Sequence, residues 1–254
     1  MSRQIPTPEE IFAKHELSII LQSDLNYRDK PDLEYIHNNG NMRGIEVVQA
    51  CNADLREYES TGSEKVANRF NDSDLAKAYS MHIDTKYNMI IHNDKIALQM
   101  INKAVTEKSK KLAKGNYDGY NSIWLVILCE TYASFLRSNI DTIAKQLNKS
   151  KFEKVFVISY NEPTVFEIHN GNVTKHDVII HDNNWFSKFI IKEYLNMEHS
   201  KERDAALKRY LKHMLSYHNS NNYDIDNDIS DTTLDKTGIN NLIQKYTGRK
   251  SFIE

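Results

Sequence analysis

The most constraining feature of the chain is an uninterrupted apolar run at residues 123–129, "IWLVILC". Its length suits a β-strand and is too short for a membrane span. A strand that is apolar on both faces is typical of the covered interior of a sheet. Residues 44–50 and 154–160 predict two further strands, and helical patterns at 95–114 and 138–148 separate the three runs. This alternation predicts an α/β fold built on a mixed sheet.

Composition narrows the functional classes. The chain has 254 residues, of which 40% are hydrophobic and 27% charged, so it can bury a sizeable core. Only 2 cysteines are present, without CxxC spacing, which argues against a disulfide framework or a structural zinc site. A net charge of -2 predicts no generally basic surface for nucleic acid, although it leaves a local basic patch open. The polar N-terminus and the lack of a long apolar run predict a cytoplasmic protein with no membrane partner.

Two regions are predicted along the chain. Residues 1–182 form the α/β core, and residues 183–254 form a helical C-terminal extension. The polar, acidic stretch 219–235 has the composition of a flexible linker. Helices of the extension are predicted at residues 185–196, 201–218 and 238–246.

A helix and a hairpin are predicted in the first fifty residues. Thr7-Pro8-Glu9-Glu10 has the residue types of a helix start, and apolar residues continue at helical spacing to about residue 25. A short strand at 32–36, turn residues at 37–41 and the strand at 44–50 predict a hairpin. The hairpin would place Asp32 beside Glu46.

Glu46 lies inside an apolar, β-branched run, "IEVV". A buried carboxylate is costly unless it is paired or binds a cation. Hard cations need only one or two carboxylates from the protein. We therefore expect Asp32 and Glu46 to bind Mg²⁺ or Mn²⁺, with the carbonyl of Val47 as a further ligand and Glu16 of the first helix as a candidate helper.

These residues carry a resemblance to a known family. "PD" at 31–32, "GIEV" at 44–47 and an acid on the preceding helix resemble the PD-(D/E)XK nuclease superfamily. The order helix, strands, helix, strand is also similar to its common core, and the resemblance covers roughly residues 9–170. It implies a restriction-endonuclease-like α/β/α core in which Asp32 and Glu46 bind Mg²⁺ and phosphodiester bonds of DNA or RNA are hydrolysed. DNA is favoured over RNA as the partner, and a homodimer is an open option.

The chain departs from the family at the motif lysine. That position is Val48, and Gln49 after it points to the opposite strand face. In this superfamily the lysine sometimes comes from a nearby helix. On the helix that ends before Gly115, Lys108 falls on the apolar stripe of Ile101 and Leu112. Lys108 is therefore the candidate for the displaced lysine, with an electrostatic role toward the phosphate.

Each candidate also has a simpler interpretation. Asp32 could be a turn residue after proline, and Glu46 an edge-strand residue paired with Arg43. Glu16 is better explained as a solvated helix acid, and Lys108 as a lysine whose stem covers apolar surface. Three functions stay open at this point: a metal-dependent nuclease, a catalytically inactive binding or structural module of the same fold, and an unrelated α/β interaction protein.

Overall fold

The structure is a computed structural model that describes residues 5–86, 89–91, 95–115, 117–129, 133–159, 164–177, 185–216, 218, 223–249 and 251–253. The chain divides into two compact units. One is Ala13–Ile179, and the other combines Met1–Phe12 with Ile180–Glu254. The predicted boundary between residues 182 and 183 lies outside the described residues and stays a prediction.

The secondary structure alternates helices and strands. The strands are β1 (Asn26–Tyr27), β2 (Leu33–Ile36), β3 (Met42–Ala50), β4 (His82–Asp84), β5 (Met89–Ile91), β6 (Ser122–Cys129), β7 (Lys154–Ser159), β8 (Thr164–His169) and β9 (Asn172–Asp177). The helices are α1 (Pro8–Leu21), α2 (Ala53–Thr61), α3 (Glu64–Asn71), α4 (Asp74–Tyr79), α5 (Lys95–Ala113), α6 (Ala133–Leu147), α7 (Trp185–Asn196), α8 (Lys201–Ser216), α9 (Ile225–Asp231) and α10 (Lys236–Thr247).

Seven strands form one mixed sheet in the order β1-β2-β3-β6-β7-β8-β9. The neighbours β3, β6 and β7 run parallel, and the other pairs are antiparallel. Parallel neighbours require a long crossover, which α2 to α5 supply between β3 and β6 and α6 supplies between β6 and β7. The predicted α/β fold with a mixed sheet is confirmed. Strand β5 lies outside this sheet, because it pairs with β4 in a separate two-stranded sheet.

The β2–β3 hairpin has the predicted turn. The His37 amide donates to the Asn41 carbonyl at 2.9 Å, and the Gly40 amide donates to the His37 carbonyl at 2.8 Å. Gly40 has φ +81°, a conformation that glycine adopts without strain. Leu33 is paired with Ile45. This register fixes the segment just before β2 beside the residues that follow Ile45.

Helices α5 and α6 pack on one face of the sheet. The apolar stripe of α5 includes Ile101 and Ala104, which share a buried cluster with Leu125 of β6. The side chain that follows in β6, Val126, is fully buried on the opposite face. Both faces of β6 are therefore covered, as its apolar run predicts. None of the helices in the described part of the chain combines the length and apolar character of a membrane span.

The C-terminal helices follow the prediction with one correction. Helix α7 is found where it was expected, and α8 and α10 differ from their predictions only at the ends. The prediction of a flexible linker at 219–235 is wrong for the described part of that segment, because α9 lies within it. The Asp224 side chain accepts a hydrogen bond from the Asn227 amide at the start of α9, and Ile229 is buried. Asp228 accepts hydrogen bonds from Lys245 and Tyr246 of α10, and Asp226 pairs with Lys212 of α8.

We predict that Gly44→Ala destabilises the sheet. A Cβ at this position would lie 2.5 Å from Cγ of Pro31 and 2.6 Å from Cδ1 of Ile123. Relieving such overpacking costs about 1–3 kcal/mol, measurable by urea denaturation. Because Ile123→Val removes the Cδ1 methyl, the double variant should lose less stability than the two single losses added together. An unchanged denaturation midpoint for Gly44→Ala would contradict this prediction, because it would show that Pro31 and Ile123 move aside without loss of stability.

Candidate active site

Asp32, Glu46 and Lys108 lie together although they come from three different elements. Nζ of Lys108 is 2.5 Å from Oε2 of Glu46 and 3.3 Å from Oδ2 of Asp32. Asp32 directly precedes β2, Glu46 is in β3, and Lys108 is near the end of α5. The hairpin register joins the two acids, and the packing of α5 on the sheet brings the lysine to them.

Glu46 lies on an interior strand between β2 and β6. Its side chain is 7% exposed, and its two oxygens have different partners. Oε2 faces Lys108, while Oε1 accepts a hydrogen bond from the Tyr117 hydroxyl at 2.9 Å. Arg43 forms its ion pair with Glu153, at 3.2 Å. The alternative of an edge-strand acid paired with Arg43 therefore does not describe Glu46.

Asp32 is held by the backbone of the neighbouring strand. Its Oδ2 accepts a hydrogen bond from the Val47 amide at 2.7 Å. Because the N–H and C=O groups of one strand residue point to the same edge, the Val47 carbonyl lies on the Asp32 side of β3. With 20% exposure, the Asp32 side chain is the most exposed of the three charged groups. The cluster is thus closed around Glu46 and opens toward solvent at Asp32.

The ionisation of the cluster follows from burial and mutual charge. Burial raises the pKa of Asp32; Lys108 opposes this, and the Glu46 carboxylate adds to the rise. Burial by itself would lower the pKa of Lys108, but Asp32 and Glu46 together raise it. The ammonium is closer to Glu46 than to Asp32, so Asp32 is the less compensated of the two acids.

Glu16 has a different environment from the one expected. It is 2% exposed, so it is not a solvated helix acid, and its Oε1 lies 3.0 Å from Nδ1 of His15. No three His, Cys, Asp or Glu side chains converge on a metal-sized point anywhere in the described residues. Within that part of the chain, Glu16 does not join Asp32 and Glu46 as a third carboxylate ligand.

Two tyrosines that were not among the predicted site residues lie beside the cluster. Tyr117 and Tyr120 lie in the connection between α5 and β6, and each donates a hydrogen bond to a buried acid of the hairpin. Tyr120 contacts Oε2 of Glu34 at 3.1 Å, and Arg28 contacts Oε1 of the same residue at 2.6 Å. The only sequence signal is the polar, turn-rich setting "NYDGYNS" just before the apolar strand.

The donor set fits one hard divalent cation. Oδ2 of Asp32 and Oε2 of Glu46 both face the point where the Lys108 ammonium lies, so the two acids already share one cationic group. Mg²⁺ is commonly held by one or two carboxylates, with water and phosphate oxygens completing its shell. The Val47 carbonyl would be a third protein oxygen. The described residues that could hold the ion are therefore Asp32, Glu46 and Val47.

Comparison with known proteins gives no match to a family model, to a curated protein or to a solved structure. The interpretation of the site accordingly rests on its geometry and chemistry.

We predict that Lys108→Met destabilises the protein by about 3–5 kcal/mol at neutral pH, the usual cost of leaving a buried charge without its partner. The expected reason is that Asp32 and Glu46 lose their shared counter-charge. Chemical denaturation measures the loss. Lys103→Met on the exposed side of α5 is the matched control and should change the free energy of unfolding by less than about 0.5 kcal/mol. Equal losses of unfolding free energy in the two variants would mean that the ion pairs of Lys108 do not stabilise the protein.

We predict that Asp32→Asn raises the melting temperature at pH 7. A raised pKa means that the folded protein favours the neutral carboxyl, so wild-type stability falls as the pH rises above the ordinary value of 3.8. The neutral amide avoids this loss, and its advantage should disappear below about pH 3.8.

Glu34→Gln provides a control of opposite sign. Burial opposes ionisation of Glu34, but the contacts with Arg28 lower its pKa overall. Stability from Glu34 is therefore present above the ordinary pKa and is lost as the pH falls. Glu34→Gln should reduce the melting temperature at pH 7, and a rise in both variants would contradict the charge argument.

Proposed function

We propose that the protein is a metal-dependent phosphodiesterase, a nuclease acting on DNA or RNA. The observation that carries the proposal is the convergence of Asp32, Glu46 and Lys108. Two acids and one lysine from separate elements meet at a partly open point on the sheet. This is the composition required to bind a divalent cation and to stabilise charge on a phosphate.

The topology supports the same proposal. The chain has α1, the antiparallel strands β1 to β3, helix α5, and then β6 parallel to β3. This order is similar to the common core of the PD-(D/E)XK superfamily, and the two acids fall on its first two motif positions. We therefore propose the restriction-endonuclease-like variant of the α/β fold for the unit Ala13–Ile179.

Each residue has a defined task in this reaction. Asp32, Glu46 and the Val47 carbonyl would hold Mg²⁺ or Mn²⁺, and Glu16 has no role as a ligand. A bound divalent cation supplies Lewis-acid polarisation of the phosphate and activation of water. Because its pKa is raised, Lys108 stays protonated near neutral pH. It therefore acts through its positive charge on the phosphate and does not accept the proton of the attacking water.

A second function has an observation in its favour. Lys108 already provides a counter-charge to both acids, and the usual lysine position in β3 is Val48. A protein that had lost catalysis could retain this ion pair as a structural link between β3 and α5. Such an inactive binding or structural module predicts that Asp32 and Glu46 take up no divalent cation.

Cleavage assays test the nuclease proposal. Labelled double-stranded DNA, single-stranded DNA and RNA are incubated with Mg²⁺ or Mn²⁺, with EDTA as the blank. We expect cation-dependent cleavage by the wild type, with DNA preferred. Lys108→Met should reduce the rate by about 10²–10³-fold, the size typical of losing one charge-stabilising group. Asp32→Ala should abolish cation-dependent cleavage.

The controls separate the two functions. Lys103→Met, on the exposed side of the same helix, should retain full cleavage. Equal cleavage by the wild type and Asp32→Ala would remove the assignment, because the activity would not depend on the site. Calorimetric titration with Mn²⁺ tests the inactive-module alternative. Binding of Mn²⁺ by the wild type that is lost in Glu46→Ala would contradict that alternative.

A further inference from the structure

We infer that Tyr117 is a positioning residue for the candidate metal site, and that it acts by fixing the orientation of the Glu46 carboxylate. This inference rests on the proposed function and assigns a role to a residue outside the acid–lysine motif. Tyr117 contacts Oε1 of Glu46, while the point shared with Asp32 and Lys108 lies at Oε2. It therefore acts on the cation through Glu46 and not by direct contact.

The two oxygens of Glu46 are held from different sides. The hydroxyl of Tyr117 donates to Oε1 at 2.9 Å, and Lys108 lies 2.5 Å from Oε2. The terminal torsion of a glutamate is broad, so an unheld carboxylate samples many orientations. The hydrogen bond from Tyr117 narrows that range and keeps Oε2 directed toward Asp32. Because this hydrogen bond is made to Oε1, it would leave Oε2 available to a cation.

The same connection contains a natural comparison. Tyr120 donates to Glu34 at 3.1 Å, as Tyr117 donates to Glu46. Both tyrosines are partly buried, both acids lie on hairpin strands, and both hydrogen bonds anchor the segment before β6. Glu34, however, is paired with Arg28 and does not contact Lys108 through any described hydrogen bond. Loss of the hydroxyl should thus have the same structural cost in the two positions but different consequences for a cation.

The experiment compares Tyr117→Phe with Tyr120→Phe in the full chain. Mn²⁺ alone is titrated calorimetrically into the wild type and both variants, and urea denaturation without metal is recorded for each. We expect Tyr117→Phe to raise the Mn²⁺ dissociation constant about tenfold or more, the range found when a hydrogen-bond partner of a metal ligand is removed. Tyr120→Phe should leave the constant within twofold of wild type, with a similar loss of stability.

Each outcome has a defined meaning. An unchanged Mn²⁺ constant in Tyr117→Phe, or an equal rise in Tyr120→Phe, overturns the role of Tyr117 while leaving the metal site in place. Absence of Mn²⁺ uptake by the folded wild type overturns both this inference and the proposed function. Circular dichroism of each variant confirms that the comparison is made between folded proteins.

Discussion

The contact between Lys108 and Glu46 joins the two halves of the site. It connects an interior strand to the helix that covers it, in a region from which water is largely excluded. Placing charges there is expensive, and the cost is offset only while a positive group faces both carboxylates. This environment requires a positive charge beside the two carboxylates, and the Lys108 ammonium supplies it. The acids therefore specify how α5 must lie on the sheet.

The hairpin register is the second condition for this arrangement. Side chains alternate between the faces of a strand, so a slip of one residue would turn Glu46 away from α5. Pairing of Leu33 with Ile45 and the turn around Gly40 prevent that slip. Asp32 is not part of a strand, but the Val47 amide holds it directly before β2. Local turn chemistry thus sets the relative position of two acids fourteen residues apart in sequence (46 − 32 = 14).

Much of the fold could be predicted because its signals are local. The apolar run of β6, the hairpin turn and the periodicity of α5 each follow from neighbouring residues. Strand β1 has only two residues and therefore no pattern to detect. Helix α9 could not be predicted, because its acidic composition indicates disorder, whereas Lys245 and Tyr246 on a later helix hydrogen-bond to Asp228.

The site residues also fall into those that local sequence patterns predict and those that depend on tertiary contacts. Asp32 and Glu46 could be paired from the hairpin, and Lys108 was indicated by its place on an apolar stripe. Tyr117 could not be predicted, since its hydrogen bond to Glu46 spans 71 residues and a tyrosine in a loop has no distinguishing pattern. The burial of Glu16 against His15 likewise depends on tertiary packing and not on helical spacing.

The close approach at Gly44 affects the geometry of the proposed metal site. The strand can lie against Pro31 only because residue 44 has no side chain, and Pro31 is the neighbour of Asp32. The distance between the two acids therefore depends on packing, because Gly44, two residues before Glu46, has no Cβ to keep Pro31 away. Small and large divalent cations are distinguished by cavity size and by the rigidity of their ligands. In the proposed metal site, a bulkier residue 44 would push the Asp32 segment outward and increase that distance, which would favour Ca²⁺ over Mg²⁺ while the proposed ligands stay the same.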